Sequence, residues 1–121
     1  MNFLEHNDFR KDLKPIQKKH QGIGKGLDSI KLLLAKQFDP LDRLEVIGPS
    51  KINRVLETPT WEIWKVEVAV PGSGLRPSQW PRVWFVVSGA NITFLAIAMH
   101  GDNYADNRIT ALAKTRATDI F

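Results

Sequence analysis

The sequence predicts an α+β fold, with two N-terminal helices packed on a small, mainly antiparallel twisted sheet and a C-terminal helix that closes the chain. Two observations support this class. Up to Leu34, apolar residues recur at intervals of three and four, which is typical of amphipathic helices. After residue 43 they alternate with polar residues, which is typical of strands. The 121 residues suit one domain, 1–121.

The first half of the chain is predicted to contain a short strand and two helices. The strand is expected at 2–6, and Asn7 or Asp8 is expected to cap the first helix. Pro15 predicts that this helix is bent or short, because an interior proline costs about 3 kcal/mol. The core-facing residues of the first helix are predicted to be Phe9, Leu13 and Ile16.

The stretch HQGIGKGL at 20–27 can be interpreted in two ways. Its alternating glycines with Lys25 are loosely similar to a phosphate-binding loop, but such a loop follows a strand and here a helix precedes it. We therefore expect a turn between two helices. The second helix should end at Asp39 and Pro40. Its predicted core face consists of Leu27, Ile30, Leu33 and Leu34.

The second half of the chain is predicted to form an antiparallel meander followed by a helix. The predicted strands are 43–48, 52–57, 61–70, 82–88 and 91–99. A tight turn at 88–90 joins the last two of them. The closing helix is expected at about 104–119. Its predicted inward-facing residues are Ile109, Leu112, Ala113 and Ile120.

Charge is concentrated in the helical half. The chain has a net charge of +4, yet the stretch from Arg10 to Lys36 alone carries +6, with eight Lys or Arg against two Asp. Such a segment suits a polyanionic partner, which would be RNA, DNA or an acidic protein. A solvated helix face is the alternative.

Composition excludes several classes of protein and site. The absence of cysteine excludes disulfides, zinc–thiolate sites and thiol nucleophiles. No apolar run approaches the roughly 20 residues that a membrane span needs. The N-terminal residues lack the basic-then-apolar pattern of an export signal, so a cytoplasmic location is expected.

The strands at 61–70 and 82–88 are the most apolar of the chain, and yet they carry ions. Because strand side chains alternate between faces, one face is predicted to be core and the other half-exposed. The half-exposed face would display Lys65, Glu67, Arg82, Trp61 and Trp84. These ions form either an exposed salt-bridge ladder, which contributes ~0.2–1 kcal/mol, or a functional site.

The chain contains, in order, FRKDLKPIQKKH at 9–20, IWKVEV at 63–68, PRVWFVV at 81–87 and ITFLAIAMHGDNY at 92–104. This series resembles the RelE/ParE superfamily of toxins from bacterial toxin–antitoxin systems, in which a lysine-rich first helix precedes three central strands. The resemblance covers essentially the whole chain and depends on order and spacing, since each motif is degenerate. It implies a RelE-like form of the α+β fold.

For RelE-like members, the resemblance implies a ribosome-dependent endoribonuclease that cuts messenger RNA and is held inactive by a cognate antitoxin. A 2′-hydroxyl attacks the adjacent phosphate, so the site needs a base for that hydroxyl and an acid for the leaving 5′-oxygen. It also needs fixed cations beside the phosphate oxygens. The resemblance implies no metal and no small-molecule cofactor.

The resemblance also implies roles for individual residues. Arg82 is the first choice for stabilising the phosphate, and Lys65 would share that role or activate the hydroxyl. His100 ends the last predicted strand, where relatives place basic or imidazole acid–base groups, although a lone histidine at a strand end is usually structural. Tyr104 lies four residues further on and is a second candidate for the site. Glu67 stands where well-known members carry a cation. It is therefore either a general base or a departure that weakens the site.

Binding residues are expected on three parts of the chain. Contacts with RNA backbone are predicted for Lys11, Lys14, Lys18, Lys19, Lys25 and Arg76. Trp61 and Trp84 are the expected anchors for the antitoxin, because aromatic residues dominate such interfaces. Two other functions are compatible with the same fold. One is a ParE-like inhibitor of DNA gyrase, and the other is a non-catalytic domain that binds protein or nucleic acid.

Overall fold

The computed structural model describes residues 1–99 and 106–121, which form five strands and three helices. A short 3₁₀ turn at Pro77–Gln79 precedes the fourth strand. The elements in chain order are β1 (Asn2–Glu5), α1 (Phe9–Lys19), α2 (Ile23–Gln37), β2 (Ile52–Glu57), β3 (Glu62–Glu67), β4 (Arg82–Ser88), β5 (Asn91–Ala98) and α3 (Asp106–Ile120). The predicted α+β class is confirmed.

The five strands form one mixed, mostly antiparallel sheet in the order β1-β5-β4-β3-β2. β1 pairs with β5 in parallel, and the three other pairings are antiparallel. The register places Glu67 opposite Arg82, and Arg82 opposite Ala98 on β5. The end of β3, the start of β4 and the end of β5 therefore lie side by side.

Helices cover both faces of this sheet. On one face, Val66, Phe85 and Phe94 pack with Phe9 of α1 and Leu34 of α2. On the other face, the core includes Ile63, Trp84, Leu95, Ala113 and Ala117, of which the last two belong to α3. The predicted half-exposed face is thus wrong for much of its area, because α3 lies over it.

Two glycines allow α2 to lie directly against the chain that follows β3. A β-carbon added at Gly22 would lie 2.1 Å from the carbonyl oxygen of Pro71, and one added at Gly26 would lie 2.1 Å from that of Ala69. No side chain fits at either distance. Because α2 already begins at Ile23, the predicted helix–helix turn is shorter than 20–27.

The predicted strand at 43–48 is not formed. The backbone N–H groups of Val46 and Ile47 donate to the Gln37 side-chain oxygen, at 3.3 and 2.9 Å. Because a side chain provides this acceptor, the segment needs no neighbouring strand. Ile47 is buried in the core, whereas Leu44 and Val46, the alternating apolar residues of the segment, are exposed.

Three residues predicted to face the core are exposed instead, namely Leu33, Leu112 and Ile120. The buried residues of α3 are Ala113, Arg116 and Ala117. This stripe lies next to the large Trp84 ring, so small side chains allow the helix to approach the sheet. The predicted inward face of α3 is therefore confirmed for Ala113, which is buried, and for Ile109, which packs against the same cluster, but it is wrong for Leu112 and Ile120.

Arg116 connects the two helical layers across the edge of the sheet. β1 pairs with β5 only as far as Phe94, and beyond that point the Arg116 Nη1 donates to the carbonyl oxygen of Leu95 at 2.8 Å. The same nitrogen also donates to Asp12 of α1. α3 is therefore tied to α1 although the sheet lies between them.

The helices of the described residues are all too short or too polar to cross a membrane.

Candidate functional site

The ions of β3 and β4 lie on one face at one end of the sheet. The Arg82 Nη2 lies 3.3 Å from Glu67 Oε1, as expected for directly opposed residues on antiparallel strands. Lys65 precedes Glu67 by two residues and so shares its face. Strand alternation also predicts that Lys65, Arg82 and His100 converge on one open face. Lys65 and Arg82 do share a face, but it is partly buried rather than open, and His100 lies outside the described residues.

Asp106, the first residue of α3, joins these two cations. One carboxylate oxygen contacts the Lys65 Nζ, and the other lies 3.4 Å from the Arg82 Nη1. The ammonium and the guanidinium therefore bind the two oxygens of a single carboxylate. This spacing is also suitable for two oxygens of a phosphate group.

The cluster is partly buried and its charges balance. Lys65 and Arg82 are 16% and 23% exposed in their side chains, and Glu67 and Asp106 are 16% and 35% exposed. Each cation faces at least one carboxylate. The salt-bridge ladder considered from the sequence is thus present between Glu67 and Arg82, and Asp106 extends it to α3.

A third cation lies beside this cluster. The cleft next to Arg82 is lined by Ser50, Lys51, Asn53, Lys65, Val66, Glu67 and Arg82. Its volume is about 20 Å³, which is enough for about one water molecule and far too small for a nucleotide. The Lys51 Nζ also lies 4.3 Å from the centre of the Trp80 ring. A nucleotide cannot enter this cleft without rearrangement of the side chains.

The remaining predicted residues are placed as follows. His100 and Tyr104 lie outside the described residues. Arg76 is exposed in the loop before β4. Trp61 is half-buried and stacks on Phe121, with ring centres 5.5 Å apart.

Trp84 is not the exposed anchor that the sequence predicted. It is fully buried beneath α3, and its indole Nε1 donates to the Thr110 hydroxyl at 3.0 Å. Alternation correctly gave the face of the sheet that Trp84 occupies, but not the helix that covers it. A partner protein has no access to this ring.

The predicted RNA-contacting lysines of α1 and α2 are all exposed, namely Lys11, Lys14, Lys18, Lys19 and Lys25. The Lys11 ammonium lies 3.2 Å from Asp8. Its hydrogen bond holds the pKa of the Asp8 carboxyl below the ordinary value. The two helices therefore present a basic surface to solvent.

Sequence reasoning missed Lys51 and Asp106. A signal existed for Lys51. It immediately precedes β2 and lies two residues before Asn53, which pairs with Lys65, so alternation extended by one residue puts Lys51 on the same face. Asp106 has no such signal. It lies 41 residues from Lys65 in the chain, and only the docking of α3 brings the two together.

Among residues 1–99 and 106–121, no group of three or more His, Asp or Glu side chains is arranged to hold a metal ion. No family model, curated protein or solved structure matches this chain.

Proposed function

We propose that this chain is a RelE/ParE-type toxin of a toxin–antitoxin system. In this proposal it acts in the cytoplasm as a ribosome-dependent endoribonuclease that cuts messenger RNA without a metal ion, and a cognate antitoxin neutralises it. The resemblance of the sequence to that superfamily supports the proposal. The order of elements, with two helices before a meander of strands and a helix after it, is compatible with that resemblance.

One observation carries the nuclease proposal. Lys65 and Arg82 lie on neighbouring strands and bind the two oxygens of one carboxylate. A pair of fixed cations with this separation can bind two oxygens of a phosphodiester and stabilise the charge that develops on them during cleavage. Lys51 adds a third cation at the same end of the sheet.

The chemistry proposed for this site is an in-line displacement at phosphorus. The bond from the 2′-oxygen to phosphorus forms as the bond to the 5′-oxygen breaks, which leaves a cyclic phosphate and a free 5′-hydroxyl. Glu67, two residues along β3 from Lys65, takes the proton of the 2′-hydroxyl. His100 is the proposed acid that protonates the leaving oxygen, by resemblance to the family.

The surface of the molecule suggests where its partners bind. The exposed lysines of α1 and α2 suit the phosphate backbone of ribosomal RNA. For the antitoxin, the stacked pair of Trp61 and Phe121 is the proposed anchor, because part of this pair is accessible and Trp84 is not.

An in vitro translation reaction with primer extension on the message tests this proposal. The parent chain should produce cuts at the codon in the ribosomal A site. Arg82→Ala should reduce the cleavage rate on the order of 10²-fold or more, because it removes a cation that stabilises the negative charge developing on the phosphate oxygens. Arg82→Lys should recover only part of the rate, since lysine lacks the planar two-pronged guanidinium.

The matched control is Arg54→Ala, which removes an exposed arginine from β2 and should cut as fast as the parent. Thermal unfolding of each variant separates a lost reaction from a lost fold. If Arg82→Ala cuts ribosome-bound message at the parent rate, the nuclease proposal is wrong.

A second function is favoured by one specific observation. Lys65 and Arg82 both pair with Asp106, as expected for ions whose role is to hold α3 on the sheet. A ParE-like inhibitor of DNA gyrase needs the fold but not an RNA-cutting site. A DNA supercoiling assay with purified gyrase distinguishes the two functions, because only the second predicts inhibition by a chain that leaves the message intact.

A further inference from the structure

The Asp106 carboxylate occupies the position between Lys65 and Arg82 where the proposed function places a phosphate. Its two oxygens contact the Lys65 ammonium and the Arg82 guanidinium, one each. A carboxylate and a phosphate present similar pairs of anionic oxygens to such cations. The cations and a phosphate therefore cannot meet while Asp106 remains in place.

The charge of the cluster leads to the same conclusion. The charges of Lys65, Arg82, Glu67 and Asp106 balance one another, so among the described residues at this end of the sheet only the neighbouring Lys51 adds positive charge for a polyanion. An incoming phosphate would be repelled by both carboxylates. One of them must move before the site can bind RNA tightly.

Asp106 is the carboxylate that is able to move. Glu67 lies within paired strands, directly opposite Arg82, and its side chain is 16% exposed. Asp106 is 35% exposed and belongs to the first turn of a helix, where the backbone has fewer hydrogen-bonded neighbours. Movement of the Asp106 backbone disrupts no strand pairing, whereas movement of the Glu67 backbone would.

We infer that Asp106 is an internal competitor of the phosphate group that Lys65 and Arg82 bind, and that it holds this site in a low-affinity state. This inference rests on the proposed function, because it names the regulation of the same site. Binding of RNA then requires Asp106 to leave the two cations. Any event that draws Asp106 away raises the affinity of the site for phosphate.

The test compares Asp106→Asn with the parent in two assays. One measures binding of inorganic phosphate by NMR signals of the Arg82 and Lys65 side chains, and the other measures binding of a short single-stranded RNA by fluorescence anisotropy. Asp106→Asn should bind both on the order of tenfold more tightly, since a full negative charge next to the cations is removed. The salt dependence of RNA binding should steepen by about 0.7 in logarithmic slope.

Asp119→Asn is the matched control. It makes the same change of charge on the same helix, about 20 Å further along its axis. Its new amide oxygen can still accept the hydrogen bond that Asp119 accepts from His6. Asp106→Glu keeps the charge and should bind phosphate as weakly as the parent. Asp106→Ser gives a second uncharged variant in case the asparagine variant does not fold.

The outcomes separate this inference from the proposed function. If the parent cuts message but neither folded uncharged variant binds phosphate more tightly than Asp119→Asn does, the inference is overturned and the nuclease proposal stands. If the uncharged variants gain phosphate affinity while no form of the chain binds or cuts RNA, the competitor role is supported and the proposed function fails.

Discussion

Arg116 differs from the other arginines in how its charge is balanced. It is buried, and a single nitrogen contacts both Asp12 and the Leu95 carbonyl. Its Nε is also buried and has no hydrogen-bond partner among the described residues. The cost of this unsatisfied donor offsets part of the stabilisation that the Asp12 and Leu95 contacts provide. The net contribution of Arg116 to the free energy of unfolding can be measured by comparison with the exposed Arg54.

Arg116→Met should lower the free energy of unfolding by about 2 kcal/mol or more, because it leaves a carbonyl and a carboxylate without their donor. Arg54→Met is the control, since Arg54 is exposed and pairs with Glu57 at the surface. It should cost under about 1 kcal/mol. Urea denaturation of both variants provides the measurement, and equal losses would contradict the role given to Arg116.

At the scale of single residues, the sequence predicted the face of the sheet on which a side chain lies. It did not predict which other elements contact that side chain. Strand alternation placed Lys65 and Arg82 together correctly, because parity along a strand depends only on local geometry. It did not predict the burial of Trp84 or the contact with Asp106. Both depend on where α3 docks, and the small residues Ala113 and Ala117 that face the sheet give a weak hydrophobic signal.

Among the elements, α2 gives the sharpest test, because it contains glycines in contrasting environments. Gly26→Ala should destabilise the fold by about 1–3 kcal/mol, because its methyl group would meet the backbone at Ala69. The same is expected for Gly22→Ala, which would meet Pro71. In both cases the neighbour is backbone, so no side chain can move aside.

Gly24→Ala is the matched control within the same helix. A β-carbon at Gly24 meets no atom within 4 Å, so alanine should stabilise α2 by about 0.5–1 kcal/mol. The three variants should therefore differ in sign when their urea midpoints are compared. A neutral Gly26→Ala would mean that α2 does not lie as close to Ala69 as described.

The elements that sequence reasoning predicted best are those with strong internal patterns. β2, β4, β5 and both N-terminal helices were predicted within a few residues. The predicted strand at 43–48 is wrong, because the segment forms no strand and its alternating apolar residues Leu44 and Val46 are exposed. Gln37 satisfies its backbone, and no local pattern reveals that a glutamine ten residues earlier acts as acceptor.

For the molecule as a whole, the proposed function and the distribution of charge together lead to a prediction for ribosome binding. Replacing Lys14, Lys18 and Lys25 with glutamate should weaken ribosome binding and reduce its logarithmic salt slope by about 2, since three phosphate contacts are lost. Cosedimentation with ribosomes at several salt concentrations measures both quantities.

The control for these reversals uses exposed cations outside the two basic helices. The same reversals are made at Arg54, Arg108 and Lys114, which lie on β2 and α3. They change net charge equally but should leave the salt slope closer to that of the parent. If both triple variants behave alike, net charge rather than the basic surface of α1 and α2 governs binding.

The position of Arg116 has a further consequence, for assembly between molecules. Where β1 ends at Glu5, the outer side of β5 would otherwise offer backbone groups to a strand of another chain. The guanidinium on the Leu95 carbonyl puts a buried charge there, so a foreign strand cannot add without displacing it. At the opposite side of the sheet, the pairing of β2 is irregular between Arg54 and Leu56, which makes a poor template. Addition of a foreign strand is thus opposed by a charge where β5 extends beyond β1, and by an irregular backbone at β2.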